Sequence, residues 1–226
     1  MNSAKQLPFE FERRPSLSGD DFFVAPCNQE AVAWLDKWPD WPSPFVIIYG
    51  PPGCGKSHLS HVFMAKSGAL ALTSAGINDA GLPSILASSK NLVADDGDTG
   101  FGEEALFHIY NDLALRDGYM LITAERAPKD WPVKLADLAS RLKASPAVEI
   151  GLPDDDLIKS VIVKLFSDRQ IRVETGVIDY VVKRMERSLD AARQFVDAAD
   201  KTALAEKKGI TLPIARHVLK ELGAEE

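Results

Sequence analysis

The stretch Phe45-Val-Ile-Ile-Tyr49, running into Gly50-Pro-Pro-Gly53-Cys54-Gly55-Lys56-Ser57, decides how the rest of the chain is read. Five apolar residues ending in glycines fit a strand buried on both faces, as in a parallel sheet. The next eight match G-x4-G-K-[ST], a pattern that average residue usage produces by chance in roughly one chain in a hundred of this length. Glycines let the backbone aim several N–H groups at one point, and the start of a following helix adds partial positive charge there. In this reading Pro52, Gly53, Cys54, Gly55, Lys56, Ser57 and His58 form a phosphate cradle. Lys56 reaches the β- and γ-phosphates and Ser57 is a Mg²⁺ ligand. Cys54 lies where the loop uses backbone, so its thiol is incidental. The competing reading is a plain glycine turn ahead of an ordinary helix.

Outward from this loop, strands are expected at 45–49, 69–73, 91–94, 119–124 and 147–150. Helices are expected at 28–38, with Asn28 as cap, at 56–66 and at 103–116, while residues 74–88 are weakly patterned. The prolines of 38–44 mark a loop. Strands alternating with helices give an α/β class with a five-stranded parallel sheet. After Gly151 the character changes: beyond a doubtful Arg172-Val173 there is no strand, and four helices are expected at 154–167, 175–187, 190–207 and 213–222. Asp154-Asp155-Asp156 suits a helix start, where negative charge meets the macrodipole. The chain divides into a polar tail over 1–20, an α/β domain over 21–151 and a helical domain over 152–226.

Acids and one hydroxyl follow the other strands. Asn91-Leu-Val-Ala-Asp95-Asp96 places two carboxylates at a strand end, where Asp95 holds Mg²⁺ through water and Asp96 orients or deprotonates an attacking water. Acids also follow strands simply because turns favour them. Thr123 and Glu125, at the end of the fourth strand, each qualify to face a γ-phosphate; a strand merely reaching the surface is the alternative. Arg141, just before the fifth strand, fits an arginine that reaches a neighbouring subunit's nucleotide and offsets developing phosphate charge, worth ~10³–10⁵ in rate. Spacing alone leaves a solvated helix arginine open. Arg193, at the start of a late helix, is placed to fold back onto phosphates.

Composition excludes several classes. The 226 residues are 46% hydrophobic and 26% charged, which is ordinary globular usage. No apolar run approaches the ~18–20 residues of a membrane span, and the start Met1-Asn2-Ser3-Ala4-Lys5-Gln6 lacks a secretory pattern. Two cysteines, Cys27 and Cys54, make no disulfide framework, so a cytoplasmic location is expected. A net charge of −7 argues mildly against a dedicated duplex-DNA binder. His58 and His61 lack further clustered ligands for a metal site, and Trp34, Trp38 and Trp41 read as packing rather than a base-stacking platform.

Taken together, these residues resemble the AAA+ module of the DnaA replication-initiator family, and look closest to its short Hda-type regulatory relatives. The resemblance spans about Phe22 to Leu222. It is carried by Asp21-Phe22-Phe23-Val24 with Asn28-Gln29, and by Gly55-Lys56-Ser57-His58-Leu59-Ser60-His61. Leu121-Ile-Thr with Arg126-Ala-Pro128, Asp137-Leu-Ala-Ser-Arg-Leu142 and Ile210-Thr-Leu-Pro-Ile-Ala-Arg-His-Val-Leu219 complete it. The chain ends at Glu226 without the helix-turn-helix of an initiator, so the resemblance implies no direct sequence-specific DNA binding. Gln6-Leu7-Pro8-Phe9-Glu10-Phe11 resembles a motif that docks on the DNA polymerase sliding clamp, with Gln6, Leu7, Phe9 and Phe11 as contacts.

The resemblance implies a P-loop AAA+ fold with a helical lid, an ADP or ATP ligand with Mg²⁺, and a base pocket near Val24. It also implies a negative regulator that works with the DNA-loaded clamp. Arg141 would act in trans on ATP held by DnaA, and intrinsic hydrolysis would be weak at most. A homo-oligomer is left open. Pro51-Pro52 and Cys54 depart from the initiator pattern, and Gly97 to Gly102 reads as a flexible glycine-rich loop. The alternative is a helicase-loader-like AAA+ ATPase driven by its own hydrolysis; a small P-loop kinase is a more distant one.

Overall fold

The structure is a computed structural model that describes residues 12–14, 22–73, 81–206 and 208–224. Compact units divide at Gly151/Leu152. Strand β1 is Glu12–Arg14; the first unit begins at Arg14 and holds β2 (Phe22–Val24) and helix α1 (Gln29–Lys37). The remaining strands are β3 (Phe45–Tyr49), β4 (Leu70–Leu72), β5 (Asn91–Ala94), β6 (Tyr119–Ala124) and β7 (Ala147–Glu149). Between them run α2 (Lys56–Ser67), α3 (Leu82–Ser88), α4 (Glu103–Leu115) and α5 (Ala136–Ala144).

The five-stranded sheet has the order β4-β5-β6-β3-β7, and its neighbouring strands pair in parallel. Strand β3 is flanked on both edges, by β6 and β7, which is why Phe45, Val46, Ile47 and Ile48 are all fully buried. Pleating sends alternate residues to opposite faces. Val46, Ile48, Val93 and Leu121 pack with α1, α2 and Trp41, whereas Phe45, Ile47, Leu92, Met120 and Ile122 pack with α3, α4 and α5. The tryptophans belong to the first of these cores: Trp41 stacks on Phe63 at 5.1 Å and Trp38 meets the same ring edge-on.

In the second unit, α6 (Asp155–Asp168), α7 (Thr175–Val182), α8 (Leu189–Glu206) and α9 (Leu212–Glu221) enclose one apolar core. Asp154 caps α6, its carboxylate accepting the Leu157 N–H at 2.8 Å.

Several expectations are corrected. Asn28 occupies the N-cap position of α1 but makes no cap bond: its Oδ1 accepts from Ala25 N and its Nδ2 donates to Phe23 O, pinning the preceding turn. Within the stretch read as a polar tail, Glu12–Arg14 forms a strand, because backbone hydrogen bonding needs no apolar pattern. Helix α3 arises where no pattern was legible, in a seven-residue stretch with Leu82 as its one buried residue. Arg172 and Val173 form no strand, and α7 stops at Val182 rather than 187. Residues 97–102 form a closed turn instead of a loose loop. Gly97 N–H donates to Thr123 O at 2.8 Å and Gly100 N–H to Asp96 O at 2.8 Å. Asp98 is almost wholly buried and pairs with Arg126 at 3.2 Å.

Candidate functional site

The C-terminal edge of the parallel sheet collects the chemistry, as is general for open α/β sheets. Register sets who meets whom. Tyr49 lies opposite Ala124, and Ala94 opposite Ile122, so the next step along β5, Asp95, comes level with Thr123.

The loop from β3 to α2 takes the backbone shape that its glycines permit. Gly53 has φ 70° and Gly55 φ 107°, both in the left-handed region that side chains disfavour. Gly50 faces a tight approach: a Cβ there would lie 2.3 Å from Ile150 O. Lys56, 9% exposed, donates from Nζ to Gly50 O at 2.7 Å and Pro51 O at 2.9 Å. An ammonium has three N–H donors, so two loop carbonyls fix its position and leave one to point elsewhere. Ser57 is exposed on the first turn of α2, and Cys54 is buried beneath the loop. Pro52 is exposed, His58 is half-buried, and His61 bonds the Ser57 carbonyl through Nδ1 at 2.7 Å.

Asp95 is the hub on the next strands. Its Oδ1 accepts from Thr123 Oγ1 at 2.7 Å and from Ser60 Oγ at 2.7 Å. Both hydroxyls are buried, Thr123 at 1% exposure and Ser60 at 0%, while Asp95 itself is exposed. The carboxylate is therefore oriented from behind, and its second oxygen is unconstrained by either bond. Asp96 follows at φ 56°, its side chain exposed and its carbonyl closing the turn. Thr123 is thus joined to Asp95, whereas Glu125 is exposed one step beyond β6.

Ser60 escaped the sequence reading. It lies four residues after Lys56, hence on the same helix face, and a buried polar residue between Leu59 and Phe63 was the available signal. Tyr49, at the end of β3, has its hydroxyl pushed above the usual tyrosine range, first by burial and then by the Glu149 charge beside it.

Arg141 lies elsewhere in this unit. It is half-buried on α5, its Nη1 donating to Asn111 Oδ1 on α4. Its guanidinium stands 4.5 Å from the centre of Phe107 and 4.9 Å from that of Tyr110. Two ring contacts plus one side-chain bond restrain the group. Val24 is half-buried at the end of β2 and packs toward the α1–α2 core. Arg193 is exposed on α8 of the helical unit, 3.8 Å from Asp190. Gln6, Leu7, Phe9 and Phe11 lie outside the described residues.

The donors present fit a nucleotide's phosphates: a glycine loop, a helix start, a fixed ammonium, an exposed hydroxyl on the first turn of α2 and an oriented carboxylate after β5. Among the described residues there is no cluster of three or more His, Cys, Asp or Glu able to hold a metal by themselves. Mg²⁺ with phosphates and water needs no such cage. Among the described residues, no helix is long and apolar enough to cross a membrane.

Comparison with known proteins bears on the fold. Residues 158–219 match the family model described as the Hda lid domain. A protein of Haemophilus influenzae with no assigned function is 24% identical over 232 residues, covering 95% of this chain and 98% of its own length. The replication initiator DnaA of Campylobacter jejuni is 24% identical over 233 residues, covering 92% of this chain. The chain spans about half the length of that initiator, 53%. Domain III of Thermotoga maritima DnaA superimposes with a TM-score of 0.78 at 20% identity, covering 93% of this chain and 98% of the domain, and shares its fold. The helical unit thus matches the Hda lid, and the chain as a whole is similar in sequence and fold to the AAA+ module of DnaA.

Proposed function

We propose that this protein is a nucleotide-dependent negative regulator of replication initiation that stimulates ATP hydrolysis by DnaA. The observation that carries this reading is the match of the helical unit to the Hda lid model, on a chain whose phosphate loop is complete. The loop residues Pro52 to His58 hold ADP or ATP, Lys56 meets the terminal phosphates, and Val24 borders the base. Ser57 and, through water, Asp95 hold Mg²⁺, which neutralises phosphate charge when bound. Asp96 and Thr123 face the γ-phosphate side. Arg193 adds a lid cation.

Arg141 is the group offered to DnaA. Its contacts with Phe107, Tyr110 and Asn111 support the role, because a restrained guanidinium loses less freedom on meeting a phosphate. Gln6, Leu7, Phe9 and Phe11 tether the protein to the sliding clamp. The bonds that orient Asp95 favour a second reading, an AAA+ ATPase that turns over its own ATP.

The deciding experiment measures phosphate release from ATP-loaded DnaA with this protein, ADP and clamp loaded on DNA. Stimulation that needs the clamp and is lost in Arg141→Ala supports the regulator. Absence of stimulation together with ATP turnover by this chain alone supports the second reading.

A further inference from the structure

The helical unit holds a second polar feature that the proposed function does not use. A cavity of about 220 Å³ is lined by Tyr180, Arg184, Arg216, His217 and Lys220, together with Leu219 and Ala224. Helices α7 and α9 pack together through Val181, Ile178, Ala215 and Val218, and this brings the basic residues to one place. Arg216 and Lys220 are four apart on α9 and share a face. Arg184 sits in the turn after α7, its guanidinium 3.9 Å from the centre of the Tyr180 ring, with that of Arg216 at 5.4 Å.

Two features separate this cluster from ordinary surface charge. Among the described residues, Arg184, Arg216 and Lys220 have no carboxylate partner, although the chain carries 33 acids against 26 basic residues. The acid closest in sequence, Glu221, is turned to His217 at 3.4 Å. In addition, both guanidinium carbons lie within 5.4 Å of the Tyr180 ring centre, so one aromatic ring gathers the two cations. Arg184 gives only a long bond, 3.4 Å, to Tyr180 O. Guanidiniums gathered without a carboxylate partner suit the oxygens of a phosphate, which they can engage as a fork.

We propose that this pocket binds a phosphate group, distinct from those held by the β3–α2 loop, with Arg184, Arg216 and Lys220 as its ligands. The phosphate comes either from a single-stranded nucleic-acid backbone or from a small phosphate ester. The test uses the full chain with Mg-ADP saturating the loop site. A short fluorescein-labelled oligothymidylate is titrated by anisotropy at several salt concentrations, and pyrophosphate by calorimetry. Arg216→Ala and Lys220→Ala are each expected to weaken binding about tenfold. For the oligonucleotide they also flatten the salt slope by about 0.7 per lost contact. Both side chains are exposed, so melting temperature and ADP affinity remain at wild-type values.

Oligonucleotide binding with this sensitivity assigns the source to a nucleic-acid backbone. Pyrophosphate binding alone, with the same sensitivity, assigns it to a small ester. Failure of both probes, or binding indifferent to the substitutions, overturns the proposal. So does variant-sensitive binding of a polyglutamate peptide where both phosphate probes fail, since that pocket would serve an acidic protein.

Discussion

Ser60 and Asp95, 35 positions apart, are joined by a 2.7 Å hydrogen bond in which the fully buried serine hydroxyl donates to the carboxylate. The bond ties the helix that follows the phosphate loop to the acid just after β5. Thr123 donates to the same oxygen from the neighbouring strand. With both lone-pair directions of Oδ1 engaged, the rotation of the carboxylate is set before any ligand arrives. Ser60→Ala is therefore expected to lower the affinity for Mg-ADP several-fold, about what one charge-assisted hydrogen bond contributes. Affinity for ADP in excess chelator should be unchanged, because Lys56 and the loop do not depend on Ser60. Equal losses with and without Mg²⁺ would show that Ser60 supports only the fold.

Asn111 is expected to matter for trans-activity without touching the partner's nucleotide. Its Oδ1 accepts from Arg141, while Phe107 and Tyr110 lie beside the guanidinium. Asn111→Ala keeps the ring contacts and removes the anchor, so stimulation of DnaA hydrolysis should fall by about three- to tenfold. Arg141→Ala should abolish it, a loss on the order of 10³ or more. Arg141→Lys should not rescue, since an ammonium neither stacks as a plane nor forks. Full stimulation by Asn111→Ala would reduce the contact to packing.

The parallel sheet was legible because its strands are short apolar runs with glycine or acid at their ends. The phosphate loop was legible because its function constrains the backbone and therefore fixes residue type. Lys56 and Asp95 follow from that pattern alone. Ser60 and Asn111 do not: each works through a contact 30 or more positions away, and neither residue type is unusual on a helix. Asn28 misled for a related reason. Its local preference for capping lost to two bonds with the preceding turn. The glycines of 97–102 suggested freedom, yet Gly97 is required by closeness, since a Cβ there would stand 2.2 Å from Ile122 Cγ2.

Glu103 links the start of α4 to the segment leading into α5. Its carboxylate accepts from Lys134 N at 3.0 and 2.9 Å and from Leu135 N at 2.7 Å. These backbone donors, Lys134 first, hold its pKa below the ordinary glutamate value. A depressed folded-state pKa contributes stability above the unfolded value, and that contribution is lost as pH falls through the folded one. Glu103→Gln should therefore melt below wild type near pH 7, and the gap should close on acidification below about pH 4. A gap independent of pH would mean that the charge is not what the backbone donors hold.

Gly50 is the position where the loop tolerates least. A Cβ would meet Ile150 O at 2.3 Å and Cys54 Sγ at 3.3 Å, and the first of these is main chain. Ile150 cannot retreat cheaply, because its N–H donates to Tyr49 O at 2.7 Å and closes the end of β7 against β3. Gly50→Ala must therefore part these strand ends at the point where the phosphate loop begins. A cost of about 1–3 kcal/mol in the unfolding of the α/β unit is expected, with weaker nucleotide binding as the loop shifts. Gly102, in the same unit, has φ −68° and open space around the added carbon. Gly102→Ala should stay within about 0.5 kcal/mol of wild type in the same denaturant titration. If both variants behave alike, the approach of Ile150 is not what requires glycine at the head of the loop.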